Sequence, residues 1–128
     1  MTDPHHGVIL VVDDDEDLLT LVAMVLSDEG YTVATARDGL EGLREVEHEM
    51  PDLILLDMKM PVMNGWRFAS ELRARYPRRA PIVVLTAAED ARKRAEEIGA
   101  CDWVAKPFEL STLRQTVADH VRGHSPGI

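Results

Sequence analysis

Three observations predict a doubly wound α/β domain of (βα)5 type, with a five-stranded parallel sheet and helices on both faces. Continuous apolar runs recur along the chain, segments with helical spacing separate them, and 128 residues, 45% of them hydrophobic, fit one compact domain. Strict alternation of strand and helix forces parallel strands joined by right-handed crossovers.

Val8-Ile9-Leu10-Val11-Val12 is apolar throughout and mostly β-branched, so it reads as a strand buried on both faces. Leu18, Leu19, Val22, Ala23 and Leu26 then fit one helix face, and Gly30 is placed to end that helix. Thr32 to Ala36 is the second strand. Asp38 can cap a second helix carrying Leu40, Leu43 and Val46, which the Pro51 region closes. Leu53-Ile54-Leu55-Leu56 is the third strand, followed by Trp66, Ala69 and Leu72 at helical spacing before Pro77. Ile82-Val83-Val84-Leu85 precedes Ala91, Ala95 and Ile98, which Gly99 ends. Trp103 to Ala105 is the last strand, and Leu110, Leu113, Val117 and Val121 mark a helix expected to stop at Gly123. Residues 1–7 and 123–128, rich in Gly, Pro, His and Ser, read as flexible ends around a domain spanning 8–122.

The charge narrows the partners. Fourteen Lys and Arg against 23 Asp and Glu leave a net charge of −9, which opposes direct binding to nucleic acid or to an anionic membrane. A single cysteine excludes an internal disulfide framework and a Cys-based zinc site, no apolar stretch is long enough to span a bilayer, and a cytoplasmic location is expected.

Ligands of open parallel sheets bind beyond the carboxyl ends of the strands. The residues just after the apolar runs are Asp13 and Asp14, Asp57, Thr86 and Lys106. Two carboxylates about 5 Å apart repel by roughly 3 kcal/mol at an effective dielectric of ~20, so three together call for a cation or a raised pKa. Oxygen ligands without His or Cys suit a hard divalent ion, and Mg²⁺ is the usual choice beside phosphate. The chain has no GxxxxGK loop and no GxGxxG, so a phosphoryl group arrives on a donor other than a cradled nucleotide, with a carboxylate or the threonine as acceptor. Lys106 is one of three lysines against eleven arginines, and a compact, hydrated point charge suits a phosphoryl oxygen.

Four blocks carry a family resemblance: Val11-Val12-Asp13-Asp14; Asp52-Leu53-Ile54-Leu55-Leu56-Asp57-Met58-Lys59-Met60-Pro61 with Asn64-Gly65; Leu85-Thr86-Ala87; and Lys106-Pro107-Phe108. In this order and spacing the chain resembles the receiver domains of response regulators in two-component signalling, over residues 8 to about 122. The resemblance implies a flavodoxin-like fold and a phosphoacceptor at Asp57, served by the phosphohistidine of a sensor histidine kinase or phosphotransfer protein. It implies Mg²⁺, or Mn²⁺, held by Asp13, Asp14, Asp57 and the backbone carbonyl of Lys59, with Thr86 and Lys106 on the phosphoryl oxygens. It further implies a cis Lys106-Pro107 bond, a switch through Thr86 and Trp103, and a phosphate lifetime that depends on the side chains of Lys59 and Ala88. The implied output surface, formed by helix 4, strand 5 and helix 5, carries Arg92, Lys93, Arg94, Arg114 and Arg122 and meets a downstream protein. Such a domain phosphorylates and dephosphorylates itself and is not a turnover enzyme.

Other readings fit less well. A haloacid-dehalogenase-type phosphatase places a second Asp two residues after its nucleophile, where this chain has Lys59. An FMN carrier of the same fold needs a Ser/Thr/Gly-rich phosphate loop after the first strand, where this chain has carboxylates. The complete set of Asp13, Asp14, Asp57, Thr86 and Lys106 argues against a module that has lost phosphorylation. Asp15, Glu16 and Asp17 suit the positive end of a helix. His5, His6, His120 and His124 form no convincing metal pattern, Met58, Met60 and Met63 are expected in packing, and Cys101 is expected as a small buried hydrophobe.

Overall fold

The computed structural model describes residues 7–77, 80–87 and 89–121. Five strands, β1 (Val8–Val12), β2 (Thr32–Ala36), β3 (Leu53–Leu56), β4 (Ile82–Ala87) and β5 (Asp102–Lys106), alternate with five helices. These are α1 (Glu16–Asp28), α2 (Gly39–His48), α3 (Gly65–Arg75), α4 (Ala91–Ile98) and α5 (Leu110–His120). All strands are parallel in the order β2-β1-β3-β4-β5, the doubly wound architecture expected.

Apolar runs form these strands because both faces are covered. Ile9, Val11, Leu53 and Leu55 point into a layer with Leu19, Val22 and Leu26 of α1 and Leu113 and Val117 of α5. Their neighbours Leu10, Val12, Ile54 and Leu56 point the other way, against Leu43 and Val46 of α2, Phe68 and Leu72 of α3 and Ile98 of α4. The two-residue side-chain period thus fills two cores from one strand.

Helix ends follow their local chemistry. Asp15 caps α1 by accepting the Leu18 N–H at 3.1 Å, and Asp38 caps α2 by accepting that of Glu41 at 2.9 Å. Gly30 and Gly99 take positive φ just past α1 and α4, where a side chain would be strained.

Several expectations shift. Leu40 is exposed and Trp66 only half-buried; the buried stripes run one residue earlier or two later, through Gly39, Gly42, Leu43 and Val46, and through Gly65, Phe68, Ala69 and Leu72. Both are clean i, i+3, i+4, i+7 faces, and glycines, invisible to a search for apolar residues, complete them. Cys101 is exposed, not buried, because it precedes β5 at the edge of the sheet; its thiol reaches only the Ile82 carbonyl at 3.4 Å. Helix α5 ends at His120, where Val121 turns extended and buries its side chain; Gly123 lies outside the described residues. Gly7, expected in the loose N-terminus, is tied down by the Thr32 N–H at 2.9 Å, while 1–6 and 123–128 are outside the described residues. The methionines are where packing requires: Met58 is fully buried, and Met60 and Met63 rest on the same core.

Phe68 is the largest fully buried side chain, and its ring lies against the place a Cβ on Gly42 would occupy. Phe68→Ala is expected to cost about 3–5 kcal/mol, read as a lowered urea midpoint. A loss under about 1 kcal/mol would mean that the α2–α3 side of the sheet repacks freely.

Candidate functional site

Register builds the site. Val12 pairs with Leu56, so Asp13 and Asp57 leave adjacent strands at the same level, and the Asp57 N–H donates to the Val12 carbonyl at 2.9 Å. The chain winds from β1 outward to β2 and returns to β3 on the other side, so this pair sits at the switch point of the sheet. Ala87 pairs with Lys106, which brings the last strand's lysine to the same edge.

The side chains converge as the strand ends predict. Oxygens of Asp13, Asp14 and Asp57 lie within 4.8 Å of one another. Lys106 Nζ donates to Asp13 Oδ2 at 2.7 Å and stands 3.9 Å from Asp57 Oδ2. Asp13 is fully buried, and its second oxygen accepts the Asp15 N–H at 2.9 Å. Thr86 and Asp57 are buried, whereas Asp14 is exposed. Asp57, Lys59, Thr86 and Lys106 share one cleft of about 630 Å³, whose far wall is the apolar group Leu18, Leu21, Pro107 and Phe108. The Lys106-Pro107 bond is cis.

Burial raises the Asp57 carboxyl to about 6, reinforced by the charges of Asp13 and Asp14; Lys106 and the Met58 N–H act the other way. A single ammonium therefore leaves the carboxylates incompletely compensated. An all-oxygen cluster with unbalanced negative charge is the donor set a hard divalent ion takes, so the residues present fit Mg²⁺ or Mn²⁺.

Gly65 is a positional requirement that the sequence shows only as part of a motif. A Cβ there would stand 2.8 Å from the Asp57 carbonyl oxygen and 2.7 Å from Met58 Sδ, so only glycine lets α3 start directly behind the Asp57 loop. Asn64 caps the same helix by accepting the Arg67 N–H at 2.9 Å.

Trp103 is not in the cluster. It lies on the edge strand, 41% exposed, paired with Val84, while Thr86 pairs with Ala105. By the strand's period Thr86 shares the sheet face of Val84, so Thr86 and Trp103 stand on one face, one diagonal step apart. Among the histidines, His120 bonds Asp102 Oδ2 at 2.9 Å, and His5, His6 and His124 lie outside the described residues, as do Ala88 and Arg122.

Residues 9–118 match the family model of the response regulator receiver domain. The chain belongs to that family. Receiver domains serve phosphorylation-dependent two-component signalling, and the relatives agree. The transcriptional regulatory protein PrrA of Mycobacterium tuberculosis is 43% identical over 107 residues, covering 82% of this chain and 46% of the relative. The alkaline phosphatase synthesis transcriptional regulatory protein PhoP of Bacillus subtilis is 42% identical over 102 residues, 78% of this chain and 42% of the relative. This receiver thus spans about half the length of the curated relatives it matches. Among solved structures, the chemotaxis protein CheY4 of Vibrio cholerae superposes with a TM-score of 0.81 at 33% identity, covering 91% of this chain and 99% of that one.

Because its folded pKa is raised, Asp57 favours the fold most when protonated: that contribution is complete below its ordinary value of 3.8 and is lost as pH rises through about 6. In EDTA at pH 7.5, Asp57→Asn is expected to stabilise the receiver by about 1–3 kcal/mol, with the gain fading towards pH 4. Equal stability of the two proteins at pH 7.5 in urea melts would overturn this.

Proposed function

We propose that Asp57 is the phosphoacceptor, that Asp13, Asp14, Asp57 and the Lys59 backbone carbonyl hold Mg²⁺ or Mn²⁺, and that Thr86 and Lys106 bind the phosphoryl oxygens. The observation that carries this reading is the convergence of three carboxylates, within 4.8 Å, on a lysine 2.7 Å from one and 3.9 Å from another. The donor is the phosphohistidine of a sensor histidine kinase or phosphotransfer protein. Its N–P bond breaks as an Asp57 carboxylate oxygen forms the new P–O bond, and the imidazole leaves. A divalent ion held by these carboxylates would supply positive charge against the phosphoryl oxygens. Lys106 neutralises another of those oxygens, and the Thr86 hydroxyl donates to a third. The apolar wall of the cleft, with Leu21 exposed on α1, suits the apolar face of a donor helix.

Once phosphorylated, Asp57 draws Thr86 inward, and Trp103, on the same sheet face, turns into the space behind it. A swing from 1:99 to 99:1 takes about 5.5 kcal/mol of differential stabilisation, within reach of several charge-assisted bonds. The α4-β5-α5 surface, with Arg92, Lys93 and Arg114, then presents the change to a downstream protein or output domain. The chemistry stays on the chain's own Asp57, without turnover of a released substrate. No helix among the described residues is long and apolar enough to cross a membrane. A cytoplasmic setting, with no direct contact to nucleic acid or membrane by this domain, fits the net charge of −9.

Acetyl phosphate with Mg²⁺ is expected to add the mass of one phosphoryl group to the intact protein, and EDTA or Asp57→Asn to abolish the gain. No gain in the parent protein at any Mg²⁺ concentration rejects the reading. In a Trp66→Phe background, acrylamide quenching of Trp103 is expected to fall as that mass appears; unchanged quenching in a phosphorylated sample removes Trp103 from the switch.

A further inference from the structure

Away from the carboxylate cluster, one set of side chains joins the mouth of the cleft to the α3–α4 surface. Lys59 Nζ lies 3.8 Å from Asp90 Oδ2, and Arg94 Nη2 lies 3.5 Å from the other oxygen of Asp90. Arg94 Nη1 also bonds both oxygens of Glu97, at 2.7 and 2.9 Å. Glu97 in turn accepts the Trp66 indole N–H at 2.8 Å, and the Arg94 guanidinium stacks over the Trp66 ring at 5.3 Å. The Arg94 side chain is only 18% exposed, and its Nε–H is buried without a partner.

We infer that phosphorylation is felt at α4 through a line of charges, Lys59–Asp90–Arg94–Glu97–Trp66, separate from Thr86 and Trp103. The inference rests on Asp57 being the phosphoacceptor. Lys59 lines the cleft that holds Asp57, so a phosphoryl dianion there offers it a stronger partner than a single carboxylate. The present Lys59–Asp90 pair is long and largely exposed, hence weak and easily surrendered. Asp90 then keeps its negative charge but loses one of its two cations, and Arg94 moves towards it. Both terminal nitrogens of Arg94 are committed, Nη2 to Asp90 and Nη1 to Glu97, so the rigid guanidinium gains at one end only by loosening at the other. The cost falls on its stacking with Trp66 and its fork on Glu97.

Asp90 is a positioning residue in this scheme. It occupies the N-cap place of α4 yet makes no side-chain capping bond, so its charge rather than a cap is what it contributes. Arg92 and Lys93 ride on the exposed side of the same helix, so a change at Arg94 alters the surface a partner meets.

The test follows the Trp66 indole N–H resonance in ¹⁵N-labelled protein, assigned with Trp103→Phe, before and after acetyl phosphate and Mg²⁺, with intact mass on the same samples. In the parent protein the resonance is expected to shift in step with the mass gain. Asp90→Asn keeps a good capping residue and removes the charge, so its shift per phosphorylated molecule is expected to vanish. Asp90→Glu is expected to restore it, and Lys59→Met to lose it. An undiminished shift in Asp90→Asn or Lys59→Met, no restoration in Asp90→Glu, or no shift in a phosphorylated parent overturns the relay. No mass gain in the parent overturns the phosphoacceptor reading and the relay with it, which separates the two failures.

Discussion

Like charges held together at the ends of adjacent parallel strands set the terms for this domain. Asp13 and Asp57 cannot drift apart, because the β1–β3 register and the bond from the Asp57 N–H to the Val12 carbonyl fix both backbones. Burial withholds the water that would screen them, and Asp57 answers by holding its proton up to about pH 6. Lys106 offsets part of the repulsion. The remaining imbalance leaves a donor set whose chemistry fits a hard divalent ion.

The sheet can hold such a cluster because, among the described residues, the side chains buried around it are overwhelmingly apolar. Two cores, one on each face, clamp β1 and β3 from both sides, so strand ends are positioned by packing that has no stake in the charges above it. A match over 91% of this chain to a chemotaxis protein, and the partial coverage of longer transcriptional regulators, show the same frame in different settings. The surface carries devices of its own, such as the Trp66–Arg94–Glu97 clasp between α3 and α4.

Much of this was legible in the residues. Val8 to Val12 and Leu53 to Leu56 are strands by composition alone, and the acids that end them follow directly, so the residue order itself brings Asp13, Asp14 and Asp57 to one edge. Thr86 and Lys106 needed the family blocks as well, since a lone hydroxyl or lysine carries little information. The phases of α2 and α3 do not show at Leu40 and Trp66, because glycines that pack against the core carry no apolar signal. The exposure of Cys101 is not legible, because a small apolar residue beside a strand does not reveal which strand is the edge. The clasp stayed hidden because Trp66 and Glu97 are 31 residues apart, and no local pattern encodes their meeting.

The bond between Lys106 and Asp13 joins positions 93 residues apart. Its lysine lies on the last strand of the sheet, after most of the chain has been laid down. An incompletely folded chain lacking β5 would carry the three acids without the ammonium that balances and helps orient them. Balance of charge at the strand ends is therefore a property of the finished sheet, reached only when its last strand has docked.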